Sequence, residues 1–100
     1  MTTEASFHAL TDPATPSAPP ADVVGGKAAQ LARLHALGLR VPPAFAIGTA
    51  VCRDYMERGA LPGGFADALS AWLARLDAWT RAALATPGPV LLSVRSSPPI

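Results

Sequence analysis

One hundred residues, half of them hydrophobic and 15% charged, make a chain the size of one small domain with too few charges to cover its own surface, so one face is expected to pack against something else. The net charge of +1 comes from eight basic and seven acidic residues scattered singly, which leaves no basic stripe for nucleic acid. The lone Cys52 excludes an internal disulfide and a cysteine-based zinc site, and every charge-free stretch falls short of the roughly 18 residues of a membrane span.

Residues 1–22 hold no Lys or Arg and no apolar h-region, so they read as neither a secretory nor a transit peptide, and the expected location is the cytoplasm. Within them "ASFHAL" suits a first strand, and the proline-rich "TDPATPSAPPAD" suits an extended surface connection. The chain therefore divides into a proline-rich lead over 1–21 and a structured segment over 22–100.

From about Gly26 the pattern turns helical. Ala28, Leu31, Leu34 and Leu37 recur at helical spacing, and Gly38 stands where a C-terminal cap belongs. Pro42-Pro43 forces extension ahead of a β-capable run at Phe45–Ile47. Thr49 is placed to cap a second helix with Cys52, Tyr55 and Met56 on its core face and Gly59 at its end. Pro62 opens a third, longer helix whose stripe is Phe65, Leu69, Trp72, Leu73, Leu76 and Ala83, with "TPGP" as its stop. "VLLSVRS" then reads as a strand apolar on both faces, the kind found at the centre of a helix-covered sheet. Short strands with three helices make an α+β chain. If the run Val90–Val94 lacks sheet neighbours, it invites self-association.

Two places carry cations suited to phosphate. Gly25, Gly26 and Lys27 lead into the first helix, where backbone N–H groups and the helix dipole favour an anion and a lysine adds mobile charge. A Walker-type loop is excluded, because Ala21 and Ala28 stand where it needs Gly and Ser or Thr. Taken alone, these residues read as a plain turn before a helix sooner than as an anion site. Arg95 follows the apolar run; its planar fork suits phosphate oxygens, though a structural ion pair or a solvated strand end fits it equally. No nucleophile, acid–base set or metal cluster emerges: Asp54, Glu57, Asp67 and Asp77 fall on polar helix faces, and His8 and His35 lie far apart.

Taken in order, "VVGGKAAQLARLHALGLRVPPAFAIGTAVCRDYM" and "LLSVRSSPP" resemble the start of the pyruvate, phosphate dikinase family and, more loosely, its relatives phosphoenolpyruvate synthase and rifampicin phosphotransferase. The resemblance covers about residues 22–98. It implies the first part of an ATP-grasp-like nucleotide-binding domain, incomplete by itself, with Lys27 and Arg95 on the nucleotide phosphates and Gly25 and Gly26 shaping the turn. It implies ATP as substrate, and magnesium held by ligands outside this chain. The family enzyme passes a phosphoryl group from ATP through a histidine on a mobile domain to pyruvate; those further domains would be the partners, and this chain alone would not turn over. Gly-Gly-Lys-Ala stands where the family commonly has Gly-Gly-Lys-Gly, and no histidine here matches the phosphoryl carrier. The competing readings are a stand-alone binding or interaction module that keeps the fold without catalysis, and a relative such as phosphoenolpyruvate synthase or rifampicin phosphotransferase acting on another acceptor.

Overall fold

The computed structural model describes residues 6–11, 19–84 and 92–95. In chain order the elements are β1 (Phe7–Ala9), α1 (Ala21–Val24), α2 (Gly26–Ala36), β2 (Phe45–Ile47), α3 (Thr49–Arg58) and α4 (Phe65–Leu84). The α+β expectation holds, as a small two-stranded sheet among helices.

The two strands pair antiparallel, with Phe7 opposite Ile47, His8 opposite Ala46 and Ala9 opposite Phe45. Backbone bonds lengthen this short ladder at both ends. Leu10 N–H donates to the Ala44 carbonyl at 3.1 Å, and Gly48 N–H donates to that of Ser6 at 2.6 Å. The Thr11 hydroxyl adds a side-chain clamp by accepting from Ala44 N–H at 2.8 Å. Ser6 and Thr11, both polar and both buried, thus flank the strand where its backbone needs partners.

Because side chains alternate along a strand, this ribbon feeds two separate cores. Leu10 joins Val24, Ala28, Ala29 and Ala32 on the side of α1 and α2, with Ala44 and Ala46 against them. Phe7 joins Val51, Phe65 and Trp72 on the side of α3 and α4, with Ala9 and Phe45 against them. The second core is aromatic: the Phe7 ring lies 5.4 Å from Phe65 and 5.8 Å from Trp72, and Phe45 lies 5.5 Å from Trp72. Such spacings give offset contacts worth more than burial alone.

Several expectations need correction. The turn of helix α1 lies where the proline-rich connection was expected to run on into Asp22. In α2 the buried residues are Ala28, Ala29 and Ala32, while Leu31 and Leu34 are half-buried and Leu37 is 76% exposed. Small side chains let α1 approach α2 closely, and the leucines are left beside that contact. The helix does end as its sequence indicates. Gly38, at φ 86°, sends its N–H to the His35 carbonyl, and Leu39 N–H reaches that of Leu34, closing a Schellman motif.

Thr49 is the first residue of α3 rather than its cap, a place taken by Gly48; the Thr49 hydroxyl donates instead to the Asp22 carbonyl at 2.6 Å. The α3 core face is Val51, whereas Cys52, Tyr55 and Met56 are exposed. Gly59 ends that helix in the left-handed conformation, as expected. In α4 the stripe is seated at Phe65, Trp72 and Leu76, half-buried at Leu69 and Leu73, and exposed at Ala83. The residues of "TPGP", and Val90 and Leu91 of the expected last strand, lie outside the described residues. Leu92–Arg95 carry no strand pairing and are exposed, with Val94 at 87%, because the β1–β2 ribbon does not extend to them.

Candidate functional site

Gly25 is the pivot of the site. Its φ of 89° with ψ of 161° is a backbone state that is essentially restricted to glycine. Through it one residue ends a helix and starts another: its N–H donates to the Ala21 carbonyl at 2.7 Å, and its carbonyl accepts from Ala29 N–H at 3.0 Å. Val24, 1% exposed, anchors this junction in the first core. The Thr49–Asp22 bond ties α1 to the start of α3 on the other side.

Gly26 and Lys27 form the first turn of α2, with the Lys27 side chain in solvent. The N-cap position is Gly25, which has no side chain to cap this end, and no acidic residue stands in its first turn. The positive end of the dipole and the ammonium of Lys27 therefore add, an arrangement that favours an anion. Gly25, Gly26 and Lys27 are thus brought together by the α1–α2 junction. Arg95 is exposed elsewhere: its Nε donates to the Ser93 hydroxyl at 3.3 Å, and no hydrogen bond or ion pair joins it to the glycine turn.

The remaining polar groups have structural surroundings. Asp54 pairs with Arg58 and Asp77 with Arg81, each at 2.9 Å across one helical turn. His8 is half-buried in β1 beside Gly48, and loss of hydration pushes its pKa below the ordinary value of 6.5. Arg75 lies over the Trp72 ring at 4.0 Å and approaches Trp79 at 5.6 Å, a cation–π contact outside the apolar stripe, although the i, i+3, i+7 spacing of Trp72, Arg75 and Trp79 carried it. Among the described residues no group of three His, Cys, Asp or Glu side chains is placed to hold a metal ion. None of their helices is long and apolar enough to cross a membrane.

Residues 21–97, the stretch that contains this junction, match the family described as pyruvate phosphate dikinase, AMP/ATP-binding domain. Among curated proteins, pyruvate, phosphate dikinase 2 of Oryza sativa subsp. japonica is 42% identical over 76 residues, covering 75% of this chain and 9% of its own length. Pyruvate, phosphate dikinase 2 of Zea mays is 43% identical over 77 residues, with the same two shares. The pyruvate, phosphate dikinase of Rhizobium meliloti (strain 1021) is 42% identical over 82 residues, covering 80% of this chain and 9% of its own. The chain thus spans about a tenth of the length of these relatives. No solved structure matches it significantly. With most of its length inside the family match, including the Gly25–Lys27 junction, the chain belongs to the pyruvate phosphate dikinase AMP/ATP-binding domain family.

Proposed function

We propose that residues 22–100 form the opening segment of an ATP-grasp-like nucleotide-binding domain in a pyruvate, phosphate dikinase-type phosphotransferase, preceded by a proline-rich lead over 1–21. In such an enzyme ATP, pyruvate and phosphate give AMP, phosphoenolpyruvate and diphosphate. The observation that carries this reading is the Gly25 junction: a glycine-only backbone state opens a helix whose first turn holds Lys27 and no acid, inside the matched stretch. Gly25 and Gly26 let a phosphate approach the backbone, and Lys27 neutralises it. Arg95 supplies a second, forked contact once Leu92–Arg95 gains sheet neighbours that bring it to the nucleotide.

The chain contributes binding and orientation. Magnesium would supply charge neutralisation of the phosphates in the full enzyme; among the described residues no three His, Cys, Asp or Glu side chains are grouped to hold it, and its ligands are assigned to the rest of the enzyme. The phosphoryl-carrying histidine and the pyruvate site likewise belong to the remaining domains, and the cytoplasm is the expected compartment. The test is calorimetry of ATP binding to the Rhizobium meliloti dikinase carrying residues 21–97 of this chain in place of its own segment. Lys27→Ala is expected to weaken binding about 10–150-fold, the equivalent of roughly 1.5–3 kcal/mol for one charge-assisted contact. An unchanged Kd overturns the assignment.

A further inference from the structure

A helix running unbroken through Gly25 would pair the Gly26 N–H with the Asp22 carbonyl and the Lys27 N–H with that of Val23, four residues back in each case. The Gly25 backbone, at φ 89° and ψ 161°, breaks that ladder and releases both donors and both acceptors. Among the described residues neither N–H takes another partner. The two carbonyls are instead turned to the start of α3. The Thr49 hydroxyl donates to Asp22 at 2.6 Å, and the Val23 oxygen lies against Gly48. Helix α1 is one turn long with no side-chain cap at its start, so its orientation depends on neighbours. Thr49 is half-buried, in a ten-residue helix that packs against α1 and is anchored at Val51 in the aromatic core. A threonine at a helix start ordinarily serves its own helix as a cap; this hydroxyl reaches across to another element.

We propose that Thr49 is a positioning residue for the phosphate turn. By holding the Asp22 carbonyl, its hydroxyl prevents α1 from recapturing the Gly26 N–H, and that donor stays open to a phosphate oxygen beside Lys27. The proposal rests on the functional reading above and adds a residue that acts through α1 rather than on the nucleotide.

Thr49→Val removes the hydroxyl and keeps the side-chain shape, whereas Thr49→Ser keeps the hydroxyl. In the full 100-residue chain, amide hydrogen exchange at Gly26, read by NMR, is expected to slow about threefold or more in Thr49→Val and to match the parent in Thr49→Ser. A hydroxyl that only supports the fold would leave Gly26 exchange unchanged or speed it, and either result overturns the proposal. Thr49→Ala repeats the comparison should the valine variant fail to fold, and the same slowing is required of it. In the Rhizobium meliloti dikinase chimera described above, Thr49→Val is expected to raise the Kd for ATP about threefold to tenfold, with recovery in Thr49→Ser and no change for adenosine, which carries no phosphate. An ATP Kd that moves with Lys27→Ala but not with Thr49→Val overturns the positioning role and leaves the functional reading standing. Slowed Gly26 exchange with an ATP Kd indifferent to Lys27→Ala keeps the hold of Thr49 on the turn and overturns the phosphate reading.

Discussion

Gly48 stands where three backbones meet. A Cβ built there would lie 3.2 Å from His8 Nε2, 3.3 Å from the Ser6 carbonyl oxygen and 3.4 Å from that of Val23. The imidazole can swing aside, but the two carbonyls cannot: one accepts the Gly48 N–H at 2.6 Å, and the other lies within α1, whose start the Thr49–Asp22 bond ties to α3. Gly48→Ala should therefore cost about 1–3 kcal/mol as an overpacking defect. Gly63→Ala is the matched control, since nothing lies within 4 Å of its Cβ position and its φ is ordinary. Urea denaturation of both variants checks this: equal midpoints would mean that the strand–helix crossing has slack that its geometry denies.

Among the elements, α4 bears on stability because Phe65 and Trp72 hold the aromatic core against the ribbon. Trp72 sits at its centre and carries a cost as well, since its indole Nε1 is buried without a hydrogen-bond partner. Trp72→Ala should cost about 3–5 kcal/mol by emptying the core, a large part of the ~5–15 kcal/mol typical of a whole domain. Trp72→Phe deletes the unpaired donor, whose burial costs roughly 1–3 kcal/mol, and this offsets much of the lost ring area. Its net effect is expected within about 1.5 kcal/mol of zero. Thermal unfolding followed by calorimetry separates the two, and a phenylalanine variant as unstable as the alanine one would show that the indole N–H has a partner after all.

At the scale of the molecule the segment is expected to bind rather than transform. Phosphoryl transfer relies on positioned metal ions and a poised acceptor. The described residues bring no three metal-ligating side chains together, and the segment is about a tenth of its relatives' length. The purified chain incubated with ATP, magnesium, phosphate and pyruvate is expected to release no AMP by chromatography. AMP that tracks the protein and vanishes with Lys27→Ala would refute this.

The sequence by itself determined the elements that depend on local chemistry. Gly25-Gly26 ahead of an Ala/Leu run, Gly38 and Gly59 at positive φ, and Pro42-Pro43 before Phe45–Ile47 act through their own backbone sterics, and each lies where the chain indicates. The glycine turn at Lys27 was legible for the same reason, and the family likeness was legible from the order and spacing of these ordinary pieces. Arg95 was legible only as a residue type, because bringing it to the turn takes contacts that Leu92–Arg95 do not make. Which part of an apolar arc is buried was decided by tertiary structure alone. Periodicity shows that α2 and α3 each have an apolar side; it cannot show that the α2 contact runs through Ala28, Ala29 and Ala32 instead of its leucines, or that α3 seats Val51 and leaves Met56 in solvent. That choice depends on how closely neighbouring backbones can approach, and close approach selects the smallest side chains whatever the hydrophobicity of those beside them.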